Sequence, residues 1–584
     1  MLAEFIDEEA SAARDQHLKH IRRPVEDRVR DERCLANLAF SRERSDTVKK
    51  HYHFSCVGGP GNTARFREGD RLILHQGDYE AGAIDVFLVR ESERSVILRP
   101  ESAAAQMLSA LSADGAGWVL DEGHFDARKL LRDGLENAMA SDHGRQRVMA
   151  LFAGAAQAEM DFGFDDFDDG EAYAEEAGLN ESQTDALALA ASATHCHLVQ
   201  GPPGTGKTYV LARTVATLVE RGERVLVSAF THRAIHHALR ACHAAVRDAD
   251  RIAKIGVPIH DPELAPLRQF ESWAKSPLRH LSGGLVVGAT PFAAGSKRLA
   301  DAAFDTVIMD EASQMTIPLA ILAMNKGKKF IFFGDHRQLP PVLQSVPKRE
   351  AASWSVFGSL ARNSELTTLN TTYRLNRELA SWPSENFYSG ELVASEVSAQ
   401  LRLPVRRSSP SHPALVSDRS LVFVEVEPGQ GTNRTAAAGE AEEVVSLVED
   451  AIATGLQPGE IGIVTPYRRQ ARLIKRQLRH SPAMTRLTAD EIVVDTVERF
   501  QGQERELILF SLTTSDPSFL EKVAEFYFQE ERWNVAATRA RSKFIIVGSC
   551  AVRDFDPIDS DLAESVALVR RLIESAETVS ARLP

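Results

Sequence analysis

A chain of 584 residues with 43% hydrophobic content is long enough for three or four domains, each with its own core. It holds no run of ~18 apolar residues that could span a membrane, and its acidic start, MLAEFIDEEA, lacks the basic-then-apolar order of a secretory signal. A net charge of −14 argues against indiscriminate nucleic-acid binding, although local patches decide that question.

Residues 1–50 are charged with scattered apolar positions and read as a helical stalk. Residues 51–100 carry short β-rich runs (HFSCVG, GDRLILH, AIDVFLV, SVILRP) between Gly, Asp and Ser, which predicts a small β domain, β-barrel-like or a sheet. Residues 101–177 return to helical composition and end in an acidic linker. Its stretch 161–176, DFGFDDFDDGEAYAEE, has eight acids and no base. Asp165, Asp169, Gly170 and Glu176 fit a calcium-loop spacing, but Phe167 fills a required ligand position. A solvated linker is the reading kept.

From residue 178 the rhythm is α/β. The runs CHLVQ, RVLVSAF, GLVVGAT, TVIMD and KKFIFFGD alternate with helical stretches, the pattern of a parallel sheet flanked by helices. A second series follows with SLVFVEV, IGIVTPY, EIVVDTV, LILFSL and KFIIVGS. The fold class is α/β, with tandem P-loop domains over 178–362 and 363–584. The five cysteines (Cys34, Cys56, Cys196, Cys242, Cys550) show no CxxC pairing, which suits an intracellular, cytoplasmic setting.

Residues 197–212, HLVQGPPGTGKTYVLA, join a strand to a helix through a G-x-x-x-x-G-K-T loop. Gly201, Gly204 and Gly206, with Thr205 between the last two, let backbone amides curl around phosphate oxygens, and the helix N-terminus adds its dipole. Lys207 reaches the β- and γ-phosphates, and Thr208 ligates Mg²⁺. Downstream, DTVIMDEASQ ends an apolar run in two acids. Asp310 alone could be a helix cap; beside a phosphate loop it reads as the Mg²⁺ carboxylate, with Glu311 as base for the attacking water. Gln338, in GDHRQLPP, can donate and accept, as a γ-phosphate sensor must. Arg374 in TYRLN and Arg539 in NVAATRARSK can fork onto phosphate oxygens, although most arginines are surface charges.

The ordered set LNESQ, GPPGTGKT, DEASQ, GDHRQLPP, TYRLN, TPYRRQ, TVERFQGQERELILFSL and NVAATRARSK resembles superfamily 1 helicases, in particular the Upf-like group of superfamily 1B. DEAS sits one letter from a DEAD box, but the surrounding motifs point to superfamily 1. The resemblance implies two RecA-like domains that grip one strand of DNA or RNA, hydrolyse ATP with Mg²⁺ and move 5′ to 3′, as a monomeric motor. An ATP-gated nucleic-acid clamp or nucleoprotein remodeller is the alternative. By resemblance, Gln183 reads adenine, Tyr373 stacks on it, Arg374 contacts phosphate, Glu504 contacts ribose, Gln338 couples γ-phosphate to closure, and Arg539 is the arginine finger. Thr231, Thr290, Thr465, Tyr467 and Thr496 resemble nucleic-acid contacts, although His232 stands where the family usually has Asn. On PYRRQARLIKRQLRH, Arg468, Arg472, Lys475, Arg476 and Arg479 share one helical face, suited to phosphates or simply to solvent.

Overall fold

The computed structural model describes residues 1–581 except 59–61, 63, 65, 67, 68, 78, 80, 81, 93, 101–114, 154–161, 258–265 and 429–432. The helical expectation for 101–114 and 154–160 therefore lies outside the described residues.

Two helices, Leu2–Ile21 and Val25–Arg30, lead into six antiparallel strands: β1 (Cys34–Asp46), β2 (His51–Cys56), β3 (Arg71–His75), β4 (Ile84–Ser92), β5 (Ser95–Pro100) and β6 (Trp118–Glu122). They close as a barrel in the order β1-β2-β5-β4-β3-β6. Alternate residues such as Phe54, Leu74, Val86 and Leu98 fill its interior, the period-two pattern of a one-sided strand. The barrel corrects the expected boundaries at both ends. The predicted stalk over 1–50 turns to strand at Cys34, and helical composition after 100 gives way to β6. Both strands are needed because an open sheet would leave two unpaired edges. Beneath the barrel, Arg28, Asp121 and His75 form a buried cluster, with His75 Nε2 at 2.9 Å from Asp121 Oδ2.

The acidic linker is also corrected. Residues 164–176 form a helix packed on helix Glu181–Ser192. The close approach uses small residues: a Cβ at Gly170 would stand 3.0 Å from Ala188 Cα. Asp165 and Asp166 occupy the first turn, where the helix dipole favours anions.

The first parallel sheet comprises β7 (Cys196–Gln200), β8 (Arg224–Ser228), β9 (Ile252–Ile255), β10 (Arg268–Phe270), β11 (Leu285–Gly288), β12 (Thr306–Met309), β13 (Lys329–Gly334) and β14 (Thr367–Thr368). Their order is β10-β9-β11-β8-β12-β13-β7-β14. Helix Ile317–Met324, buried along its whole length, packs beneath the N-terminal helix and helix Arg128–Ala140. A two-stranded pair, β15 (Thr371–Thr372) and β16 (Val393–Ala394), leads to the second sheet. That sheet holds β17 (Leu421–Glu425), β18 (Ile461–Thr465), β19 (Val493–Thr496), β20 (Arg505–Ser511), β21 (Ala540–Gly548) and β22 (Glu577–Ser580), ordered β19-β18-β20-β21-β17-β22. Central strands of both sheets are covered on both faces, which is why they read as unbroken apolar runs. Among the described residues, no helix is long and apolar enough to cross a membrane.

One buried acid gives the second sheet a pH dependence. Glu440 accepts from Ser511 Oγ at 2.7 Å and from the backbone N–H of Thr513 at 2.7 Å, and burial pushes its carboxyl up to about 7 from 4.5. A folded-state pKa above the unfolded one means the stabilisation is full below about 4.5 and is lost as pH rises through about 7. Thermal melts across this range should show Glu440→Gln flattening that dependence and stabilising the protein at pH 8 by roughly 1–3 kcal/mol.

Candidate nucleotide site and nucleic-acid path

The loop after β7 is built to bring backbone close to an anion. Gly204 and Gly206 adopt φ of 76° and 81°, the left-handed region where glycine carries no Cβ penalty. A Cβ on Gly201 would meet the Lys207 side chain at 2.8 Å, and one on Gly204 would meet Arg374 Cβ at 2.4 Å. Thr205 Oγ1 donates to the Pro202 carbonyl at 2.8 Å and braces the loop. Helix Lys207–Glu220 starts directly after it, so the amides of Lys207, Thr208 and Tyr209 have no partner within the helix.

Lys207 meets the acids at the end of β12. Its Nζ donates to Glu311 Oε1 at 2.9 Å and lies 3.6 Å from Asp310 Oδ1. Burial opposes the charge on Lys207, but Glu311 and Asp310 outweigh it and hold the ammonium above its ordinary pKa. Burial raises the Asp310 carboxyl. Glu311 is held below its ordinary value: burial opposes this, and Lys207 and the Gln314 amide prevail. Glu311 has φ of 52°, a strained setting for a non-glycine residue, stabilised in part by its N–H donating to Asp310 Oδ1 at 2.9 Å.

The loop after β13 joins the two sheets. Asp335 accepts from Gln200 Nε2 at 3.2 Å, Gln338 Nε2 at 2.7 Å and the Tyr388 hydroxyl at 2.7 Å. Asn534 Nδ2, from the second unit, donates to Tyr388 Oη at 2.9 Å and to the Arg337 carbonyl at 2.8 Å. Tyr388 and Asn534 were missed from sequence; no local pattern marks them, since they join positions 53 and 146 residues away.

Both expected arginines face this cleft from the second unit. Arg374 Nε pairs with Glu504 Oε2 at 2.5 Å, and its Nη1 donates to the Thr538 carbonyl at 3.2 Å. Burial opposes the Glu504 charge, but Arg374 and Arg541 hold its carboxyl low. Arg539 is buried and folded back, donating from Nε to the Val535 carbonyl at 2.8 Å and from Nη2 to Thr538 Oγ1 at 3.1 Å. Its charge is pressed by burial first and by Arg374 second, and Glu311 supports it.

At the base end, Gln183 forms a capping box with Asn180 and donates from Nε2 to the Thr205 carbonyl at 3.0 Å. It thus ties the helix start to the phosphate loop. Tyr373 is 46% exposed, with its hydroxyl accepting from Asn180 Nδ2 at 2.8 Å.

The expected nucleic-acid contacts lie at the carboxyl ends of the strands, where α/β sheets bind ligands. Thr231 and Thr290 follow β8 and β11, and each caps the next helix, from Ala234 N–H and Ala293 N–H at 3.2 Å. Thr465 is buried at the end of β18, 3.1 Å from Thr513 Oγ1. Thr496 ends β19 and is buried. The Tyr467 ring packs among Phe519, Phe526 and Tyr527. On helix Arg468–His480, Arg468, Lys475 and Arg476 are exposed, whereas Arg479 pairs with Asp490 at 2.7 Å. Arg472 is committed elsewhere, donating to the Arg30 carbonyl at 2.5 Å and pairing with Glu32. His232 is partly buried, its pKa pulled down to about 4 by burial, with Lys254 and Arg298 adding to the effect.

Comparison with known proteins bears on the same segments. Two family models, each described as an AAA domain, match residues 178–274 with 266–346, and 352–551. The chain is 29% identical over 410 residues to the DNA replication ATP-dependent helicase/nuclease dna2 of Schizosaccharomyces pombe, covering 66% of this chain and 28% of that protein. It is 28% identical over 406 residues to Homo sapiens DNA2, covering 64% and 37%. It is 26% identical over 446 residues to the S. pombe DNA polymerase alpha-associated DNA helicase A, covering 63% of each. The chain thus spans about a third of the length of the helicase/nucleases it matches. Among solved structures, arterivirus nonstructural protein 10 (helicase) aligns with 88% of this chain and 79% of its own, at a TM-score of 0.40 and 14% identity. With both motor segments matched, from the phosphate loop to the NVAATRAR helix, the chain belongs to the Upf-like group of superfamily 1B helicases.

Proposed function

We propose that the protein is an ATP-driven helicase or translocase acting on single-stranded DNA or RNA, working as a monomer and moving 5′ to 3′. One observation carries the reading: Lys207, Asp310 and Glu311 from the first unit and Arg374 and Arg539 from the second meet in one cleft, bridged by Asp335, Tyr388 and Asn534. The polarity rests on the resemblance to the Upf-like group alone. The five free thiols are in keeping with a reducing, intracellular setting.

The glycine cradle and the three amides without a helical partner fit a triphosphate, and the buried Asp310 carboxylate with the Thr208 hydroxyl is a donor set that fits a hard divalent cation. Mg²⁺ held by Thr208 and Asp310 would neutralise charge on phosphate oxygens. Lys207 exchanges its carboxylate partners for phosphate, which frees Glu311 to accept a proton from water. Gln183 and Tyr373 hold the base, and Glu504 the ribose. Arg539 leaves its carbonyl and hydroxyl partners to meet charge on the transferred group. Gln338, already bonded to Asp335 in the bridge, registers that charge across the cleft.

The direct test is ATP turnover with and without matched single-stranded DNA and RNA. Stimulation by either supports the reading; turnover indifferent to both rejects it. Lys207→Ala is expected to lower turnover by at least ~10²-fold, and Arg539→Ala by ~10³-fold with nucleotide binding largely kept. Unwinding should proceed from a 5′ tail; unwinding from a 3′ tail alone would reject the polarity. Replacing Arg468, Lys475 and Arg476 with Ala should make log affinity fall less steeply with log salt, the slope shrinking by about one for each phosphate ion pair removed.

A further inference from the structure

The loop that carries Gln338 does not end at the nucleotide site. Leu339 is buried in the core of the second unit, and two prolines, Pro340 and Pro341, stiffen the next step. The chain then lands on the N-terminal helix. Glu9 accepts the Gln344 N–H at 2.9 Å on each carboxylate oxygen, the Ser345 N–H at 2.9 Å and the Ser345 hydroxyl at 2.8 Å. Nine residues later Trp354 stacks on Phe5 of the same helix, with centroids 4.0 Å apart and planes within 11°. The helix is thereby fastened at two points to the segment leaving the γ-phosphate sensor.

Its far end reaches the other motor unit. Past helix Val25–Arg30, the Arg30 carbonyl and the Glu32 carboxylate take Arg472 from the helix that follows Tyr467. The barrel begins two residues further on, at Cys34. One short stretch of chain thus links the sensor loop, the second unit's basic helix and the root of the barrel.

We infer that Glu9 is a positioning residue: through Gln344 and Ser345 it transmits the nucleotide-dependent setting of the Gln338 loop to the N-terminal helix, and so to the barrel and the nucleic-acid path. A charged acceptor holding three donors, one of them shared between its two oxygens, is suited to this, because charge-assisted bonds are the stronger class and their common geometry resists slippage. The inference rests on the proposed motor activity for its kinetic consequence but not for its structural one.

The test compares the full-length wild type with Glu9→Gln and with Asp7→Asn. Asp7 lies on the same helix and holds it to Arg132 at 3.0 Å, without touching the sensor loop, so it controls for mere loosening of the helix. Glu9→Gln should leave unstimulated turnover and the KM for ATP unchanged. It should cut nucleic-acid-stimulated kcat roughly fivefold or more, while Asp7→Asn behaves as wild type. Amide exchange over residues 2–21 should respond to a non-hydrolysable ATP analogue with Mg²⁺ in the wild type and in Asp7→Asn, and not in Glu9→Gln. Full stimulation and a wild-type exchange response in Glu9→Gln would overturn the inference, as would equal losses in both variants. A wild type that nucleic acid does not stimulate would fail the motor reading instead, and the exchange comparison would still decide the role of Glu9.

Discussion

Lys207 stands half-buried against Glu311 and Asp310 at the edge where the first sheet's strands end, and the rest of the site is arranged around that charge cluster. An ammonium and two carboxylates in a partly dry setting are costly unless each has partners. Here the partners are one backbone amide, that of Glu311, the Gln314 side chain and the lysine itself. The cluster carries a net negative charge and sits beside a loop whose glycines leave its backbone uncovered by Cβ atoms. A polyanion accompanied by a divalent cation suits both halves: phosphates take the lysine and amides, and the cation takes the carboxylate. The backbone at Glu311 is strained, φ 52°, and its side chain meets Lys207 and Gln314.

The second unit holds its cations in check. Arg374 is neutralised by Glu504, and Arg539 spends its donors on Val535 and Thr538. Extending Arg539 toward a nucleotide costs about 1 kcal/mol for each such bond released. Only a partner with developing negative charge, in a site shielded from water, offsets that sum. The resting contacts therefore make the finger conditional on substrate. The Asp335–Tyr388–Asn534 chain meanwhile links the two units across the cleft through three buried polar side chains.

What could be read from sequence follows from the range over which each constraint acts. The phosphate loop was legible because glycine, lysine and threonine at fixed local spacing suffice to define it. The central strands were legible because burial on both faces leaves long apolar runs, as in KFIFFG of β13. β1 was hidden by its outward charges, Arg42, Glu43 and Arg44, and β6 by its distance from the strands it closes on. The helix at 164–176 was hidden by its acids, since its fully buried residues are the small Gly170 and Ala174, with Tyr173 partly buried beside them. Arg472 was read as one of a basic row facing nucleic acid, but the structure pairs it with Glu32, 440 residues earlier in the chain. Glu9 meets Gln344 across 335 residues, a separation at which no single-sequence pattern speaks.

The account turns on a cleft that closes around nucleotide, and a distance across it tests that most directly. Spin labels at the exposed positions His237, on the first unit, and Arg476, on the second, with Cys56 and Cys550 replaced by serine, would report it by double electron–electron resonance. Saturating Mg²⁺ and a non-hydrolysable ATP analogue should shift the distance distribution to a new, narrower population. A distribution unchanged at saturation would contradict the account.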